Sequence, residues 1–440
     1  MLRLAVGVAL ACAVFAATPA SAQPADAAPL SGARFTLAVI PDTQNYIDFH
    51  NQRAQGFPFD ARELFFDQLA YVERHLQAEG GSIAFVSAVG DVWQHSPGDK
   101  PDPDSAARGL RSTPSVLLEQ AASPQWRDAI VQVELPAAVA GYTMIAGKTP
   151  FALVPGNHDY DAVWTDARHP PDPSAHIGPG RPSGLGILLL GGLELWRRTF
   201  GRETAFFRGK PWYVSSFHDG ADSAVIFGAA GRRFLHLGLE MQPDDAVLDW
   251  ARGVIARYPG VPTIVTTHQY LKPDGVRGAD PMLQLSVADP RHNDPEALWR
   301  KFIAVNDQIF LVLNGHEEGA ARRVDLNVKG HKVYQLLSDY QERRQSFIDV
   351  APGDPRTLHF PGVGDGWMRL MEFDLTPGDE KVHVRTYSTY FHADARDLPN
   401  YARWYKAVEH PDLTDEQFLD QDDFTLSLDD FPERFGKARP

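Results

Sequence analysis

The chain has 440 residues, 43% hydrophobic and 22% charged, a balance that supports a large globular core in one or two domains. Its formal net charge of −15 argues against nucleic acid or an anionic membrane as the main partner, although a bound metal cluster can create a local positive spot on an acidic protein. With 36 glycines and 34 prolines, much of the chain must be loop.

The N-terminus reads as a targeting segment. Met1-Leu2-Arg3 is followed by an apolar run from Leu4 to Ala17, and Ala20-Ser21-Ala22 supplies an A-x-A cleavage site. This predicts a secretory signal peptide over residues 1–22, with an uncleaved anchor as the alternative, and so a periplasmic or secreted protein. Cleavage would remove Arg3, deepening the charge from −15 to −16, and would also remove Cys12, the sole cysteine. Metal ligands in the mature chain must then come from His, Asp, Glu, Asn and Gln. Residues 23–33 read as a disordered leader, and no later run approaches transmembrane length, so no stable membrane insertion is expected.

From Arg34 onward, short apolar strands end in polar turns. RFTLAVI (34–40) runs into Pro41-Asp42-Thr43-Gln44. Residues 61–79 carry Leu64, Phe65, Leu69, Val72 and Leu76 at helical spacing, with Asp60 as an N-cap and Gly80-Gly81 as a stop. SIAFVSAV (82–89) runs into Gly90-Asp91, and FALV (151–154) into Pro155-Gly156-Asn157-His158-Asp159. Residues 97–125 and 165–192 are long stretches rich in Pro, Gly, Ser and Asp, either functional rims or poorly ordered. Helices are predicted over 244–257 and 295–305, the second with Pro295 near its start. Between them TIVTT (263–267) runs into His268-Gln269, and IFLVL (309–313) follows, running into Asn314-Gly315-His316. Strand-like pieces include MRLMEFDL (368–375) and KVHVRTY (381–387), while the acidic, aromatic tail over 396–440 has no assignment. Alternating strands and helices predict an α/β fold with its ligand site at the carboxyl ends of strands.

Taken singly, each strand end is weak evidence, because a lone His after a strand is more often structural than a ligand. Five strand ends in a row each offer one or two metal-ligating groups, and loops at one sheet edge converge. Such a gathering is hard to explain as packing, since clustered carboxylates repel one another without a cation between them.

Asp42-x-Gln44, Gly90-Asp91, Gly156-Asn157-His158-Asp159, His268 and Gly315-His316-x-Glu318 resemble, in order and approximate spacing, the motif series of the metallophosphoesterases, or calcineurin-like phosphoesterases. That series reads D-x-H, G-D, G-N-H-[DE], H and G-H-x-H. The resemblance spans roughly residues 34–390. The opening Pro-Asp-Thr-Gln, with Leu337-Ser338-Asp339-Tyr340-Gln341 and Gly366-Trp367, is similar to a secreted subgroup.

The resemblance implies a four-layer α/β/β/α sandwich over residues 34–395, leaving 396–440 as an extension. It also implies two divalent metals. One would take Asp42, Gln44, Asp91 and Glu318; the other would take Asp91, Asn157, His268 and His316. A bridging hydroxide would attack phosphorus in line. His158 would be the general acid for the leaving oxygen or a donor to a phosphoryl oxygen. Gln44 and Glu318 replace two family histidines on the same metal. That site becomes all-oxygen and suits Mn, Mg or Ca, beside a partner site suited to Mn, Zn or Fe. Gln94 stands where some members have an acid that orients the catalytic His, which leaves Asp159 or another acid to compensate.

His95 is a candidate to reach substrate or a rim residue. Tyr46, Trp93 and Tyr270 are candidates to stack on a base or sugar, or packing. Asp339 and Gln341 are candidate partners behind the ligands. Glu318 is preferred to Glu317 because i+2 spacing from His316 keeps a side chain on the same side of an extended segment. His50, His218, His236, His292, His331 and His383 have no motif context and read as structural. The expected activity is hydrolysis of a small phosphate mono- or diester. The alternative is a metal-binding but weakly active or inactive ligand-binding module on the same fold.

Overall fold

The structure, a computed structural model, describes residues 32–47, 59–95, 128–161, 192–280, 285–288, 290–350 and 362–436. The predicted signal peptide, most of the predicted leader, nearly all of the two long Pro- and Gly-rich stretches and His50 lie outside the described residues.

Two mixed sheets, each of seven strands among the described residues, carry the fold. In the first, β1 (Arg34–Ile40), β2 (Ile83–Ala88) and β3 (Phe151–Leu153) run parallel. In the second, β4 (Tyr213–Phe217) and β5 (Asp222–Ala229) lead antiparallel into β6 (Arg232–Leu239). That strand lies parallel to β7 (Thr263–Thr267), which in turn lies parallel to β8 (Ile309–Asn314). β9 (Gly319–Leu326) edges this sheet beside β10 (Lys332–Asp339), which is parallel to β8. The first sheet is completed antiparallel by β11 (Trp367–Asp374) and β12 (Lys381–Ser388), with β13 (Ala393–Asp394) and β14 (Asp423–Ser427) both paired to β12.

The alternation of side chains explains why the central strands read as unbroken apolar runs. Along β1, Phe35, Leu37 and Val39 join residues of both sheets, among them Phe85, Phe234, Phe310 and Phe373, in one buried cluster. Ala38 and Ile40 point the other way, into a cluster with Leu64, Phe65, Leu69 and Val72 of the helix Arg62–Arg74. The second sheet likewise sends Leu235, Leu237 and Val265 against Val247, Leu248, Ala251, Val254 and Ile255 of the helix Asp245–Arg257. Each such side chain contributes about 1.5–3 kcal/mol when buried. Asp244 caps that helix by accepting the N–H groups of Ala246 and Val247 at 2.9 and 3.0 Å. Asp60 departs from its expected place. Ala61 holds the cap position, and the Asp60 carboxylate accepts the Arg62 N–H at 3.1 Å from one residue earlier.

The extension over 396–440, which the sequence leaves unassigned, has its own elements. Beyond β13 the chain forms helices Tyr401–Glu409 and Asp415–Asp422, then returns as β14 into the first sheet. The return is fixed by buried charge. Asp422 accepts from Arg369 at 3.0 Å, Arg343 at 3.3 Å, Tyr340 at 3.0 Å and Tyr401 at 2.6 Å. Arg343 also grips both carboxylate oxygens of Glu409, at 2.7 and 2.9 Å. Burial alone would raise the Asp422 carboxyl, but Arg343 and Arg369 hold it below the ordinary range. The tail is therefore tied to β10 and β11 through a fully desolvated ion network.

Removing the charge of Asp422 leaves two buried guanidinium groups uncompensated. Asp422→Asn is expected to cost about 3–5 kcal/mol, read as a lowered urea midpoint at neutral pH. A folded-state pKa below the unfolded value means that this stability is present above about pH 4 and fades as pH falls further. The gap between wild type and variant should close in acid.

Candidate metal centre

The parallel strands β1, β2, β3, β7, β8 and β10 deliver their carboxyl ends to one place. The loops after them carry Asp42, Asp91, Asn157, His268, His316 and, at the end of β10, Asp339. Atoms from both sheets meet there. His268 Nδ1 donates to the Val89 carbonyl at 2.9 Å, joining the end of β7 to the loop after β2. The His316 N–H donates to Asp42 Oδ2 at 2.9 Å, joining the loop after β8 to that after β1.

Glycines make this approach possible. A Cβ on Gly156 would stand 2.1 Å from Asp91 Oδ1, and one on Gly315 would stand 2.0 Å from Asp42 Oδ1. Only a residue without a side chain fits at either point. Asp159 then clamps two loops together, accepting the N–H groups of Val92 at 2.9 Å and Gly156 at 2.8 Å. The His158 N–H donates to Asp91 Oδ1 at 2.9 Å.

The chemistry follows from where the protons are. The Val89 carbonyl can only accept, so His268 carries a proton on Nδ1 and, in its neutral form, has a lone pair on Nε2. Three polar atoms surround that lone pair: Asn157 Oδ1 at 3.0 Å, His316 Nδ1 at 3.1 Å and Asp91 Oδ1 at 3.3 Å. As placed, Asn157 Oδ1 and Asp91 Oδ1 are acceptors too. Nearby, Asp42 Oδ1 and Gln44 Oε1 are buried without a hydrogen-bond partner. The ligand atoms of Asp91, His268 and His316 all lie within 4.8 Å of one another. A divalent cation would satisfy such a set.

The electrostatics agree. Burial, then Asp339 and Asp91, push the Asp42 carboxyl well above its usual range. Burial would raise Asp91 too, but His268, His158 and His316 beside it hold it below the ordinary range. His316 is lowered to about 3, first by burial and then by His268, so the ring is neutral and available as a ligand.

The residues expected at the site divide into two groups. Asp42, Gln44, Asp91, Asn157, His268 and His316 lie together, with Gln44 Nε2 donating to Asp91 Oδ2 at 3.2 Å. His158 is beside them; its Nδ1 donates to the Gln94 carbonyl at 2.7 Å and its Nε2 is 4.0 Å from Asp91 Oδ2. It is thus the Gln94 backbone, not its side chain, that orients His158.

Glu318 is not gathered with the ligand atoms of Asp91, His268 and His316. It is exposed, and partial burial followed by Glu342, Glu409 and Glu317 pushes its carboxyl up to about 7. The extended segment that the i+2 spacing assumed is absent, because His316 has φ of +78°. His95 is no rim residue: it is 3% exposed, with Nδ1 against Glu134. Tyr46 has no exposed surface and packs against Gly364, so it stacks on no substrate. Trp93 and Tyr270 are buried in the cores as well. Asp159 serves backbone N–H groups and does not contact His158 as a compensating acid.

Two residues carry more than the sequence reading gave them. Asp339 is fully buried and acts on Asp42 more strongly than any other charge; its position at the end of a strand was the available signal. Glu134 accepts the Gln94 N–H at 2.9 Å and the His95 N–H at 3.0 Å, fixing the loop that orients His158. It sits in a helical stretch far from any motif, and no sequence signal marks it.

No family model matches the chain. An uncharacterized protein of Bacillus subtilis (strain 168), YvnB, is 24% identical over 229 residues, which is 51% of this chain and 14% of that relative. The matched stretch is thus a small part of the relative's length. Among the described residues, no helix is long and apolar enough to cross a membrane.

Asp91 touches every part of the centre, so its charge is the one to remove. Asp91→Asn is expected to weaken Mn²⁺ binding at least tenfold by isothermal titration calorimetry. Chelator-stripped wild-type protein should gain about 2.7 kcal/mol of stability at a metal concentration a hundred times Kd, and the variant much less at the same concentration.

Proposed function

We propose that the chain is a metal-dependent phosphoric ester hydrolase with the four-layer α/β/β/α metallophosphoesterase architecture. The observation that carries this reading is the meeting of acceptors around His268 Nε2, beside the orphaned Asp42 Oδ1 and Gln44 Oε1. Helices on the outer faces of two stacked sheets support the architecture.

Asp91, Asn157, His268 and His316 would hold a borderline cation such as Mn, Zn or Fe. Asp42, Gln44 and Asp91, with Asp339 close behind, would hold a harder one such as Mn, Mg or Ca. Bound divalent ions supply positive charge for phosphoryl oxygens and lower the pKa of water held with them. The chain's own contribution to proton transfer is His158. Its Nδ1 is committed to the Gln94 carbonyl, so its Nε2 is the atom that gains and loses a proton. That atom faces the centre from a side chain 31% exposed, where it can protonate a leaving oxygen.

The surroundings favour a small substrate. Glu318 and Glu342 both raise the carboxyl of Asp339, making the approach acidic and unfavourable for a polyanion. Export to the periplasm or beyond is part of the proposal and rests on the leader-like sequence of residues 1–22.

Chelator-stripped protein should hydrolyse neither p-nitrophenyl phosphate nor bis(p-nitrophenyl) phosphate, and should regain activity toward at least one when Mn, Mg, Ca or Zn is added. His158→Ala should lower kcat by about 10²–10⁴ with bound metal unchanged. Unchanged activity in the variant would remove His158 from the mechanism. Inactivity of wild type with every metal would favour the ligand-binding alternative, to which Gln44 and Glu318, standing in place of two family histidines, point.

A further inference from the structure

Between β4 and β5 the chain turns sharply through His218 and Asp219, whose φ values are +44° and +54°. Asp222, the first residue of β5, has no exposed surface. Its Oδ1 accepts the Glu240 N–H at 2.9 Å, pinning the end of β6 to the start of β5. Its Oδ2 is buried without a hydrogen-bond partner and faces His218 Nδ1 at 3.6 Å. Glu240 Oε1 is 3.5 Å from the same nitrogen. Glu240 itself is only 7% exposed. The three ligand atoms lie within 4.8 Å of one another.

These separations suit two ligands of one ion better than a short hydrogen bond. A hydrogen bond from a charged imidazole to a carboxylate draws its partners to about 2.7–2.9 Å. Two ligand atoms on one tetrahedral ion, each bonded at about 2.0–2.2 Å, stand about 3.4 Å apart. The contacts to His218 match the second case. Charge points the same way. Two carboxylates and an imidazolium leave one net negative charge beside a sealed Asp222, whereas two carboxylates, a neutral imidazole and a divalent ion leave none. The cluster's demand for positive charge is visible in its groups. Burial alone would lower the His218 pKa, but the two carboxylates push it up to about 10. Burial and then Glu240 push Asp222 up to about 7.

We propose that His218, Asp222 and Glu240 form a further divalent-cation site, outside the strand-end centre, suited by one nitrogen and two oxygens to an ion such as Zn²⁺ or Mn²⁺. The ion ties the β4–β5 turn to the end of β6. The Glu240 carbonyl in turn accepts from Thr267 Oγ1 at 3.1 Å, and Thr267 directly precedes His268. The site therefore braces the strand that presents a ligand to the main centre. It does not rest on the hydrolase reading.

Zinc bound per chain, measured by equilibrium dialysis and elemental analysis, tests the site. Glu240→Gln keeps the side chain's length and removes its charge; it should lower the stoichiometry by one, as should His218→Ala. The double variant Asp91→Asn/His268→Ala, crippled at the main centre, should retain one zinc, which disappears when Glu240→Gln is added. A double variant that holds no zinc overturns the proposal. So does a stoichiometry that neither Glu240→Gln nor His218→Ala changes while circular dichroism shows both folded.

Discussion

Asp42, Asp91, Asp159 and Asp339 are all buried at one edge of the molecule. Like charges held about 4 Å apart repel by about 4 kcal/mol even at an effective dielectric of 20, so four carboxylates in one dry site need compensation. The chain supplies part of it with backbone N–H groups. Asp159 is satisfied by Val92 and Gly156, and Asp339 accepts from Gln341 N at 3.0 Å. What the backbone cannot supply is positive charge for Asp42 and Asp91. No lysine or arginine is hydrogen-bonded to either carboxylate among the described residues; their partners are N–H groups of His316, His158 and Gln44, with His268 Nε2 at 3.3 Å from Asp91. The imidazoles beside Asp91 include His316, which burial keeps neutral. A divalent cation held between these groups would relieve this imbalance.

The rest of the fold holds that edge in place. The two sheets meet through an aromatic-rich layer in which Phe35 stacks on Phe373 at 4.5 Å and Phe85 on Phe227 at 4.4 Å. Because the layer is closely packed, the loops of one sheet reach those of the other with little freedom. The C-terminal segment adds a second constraint at β10 and β11 through Asp422, Arg343 and Arg369. Arg343 also stands near the centre's acidic approach, since its partner Glu409 belongs to the group that raises Glu318. Stability of the tail and electrostatics of the approach are therefore linked.

Much of this was legible in the sequence, for a physical reason. Strands buried on both faces must be apolar throughout, so RFTLAVI, TIVTT and IFLVL announce themselves. Loops that leave parallel strands must converge, so Asp42, Asp91, Asn157, His268 and His316 could be grouped before their distances were known. What was hidden depended on backbone conformation or on long-range pairing. His316 has a positive φ, and nothing in Gly-His-Glu-Glu states that angle. Glu134 reaches Gln94 and His95 across about forty residues of chain, a pairing no local pattern encodes. No local pattern joins His218 to Asp222 and Glu240, because Asp222 opens β5 and Glu240 follows the end of β6.

The central claim is that the strand-end acceptors surround a cation. A crystal of the protein grown with manganese, measured on both sides of the manganese absorption edge, tests it most directly. The account predicts an anomalous peak bonded to Asp91, His268 and His316, with a second on the side of Asp42 and Gln44 at sufficient metal concentration. Absence of any peak among these side chains, in a crystal that shows them ordered and close together, would contradict it.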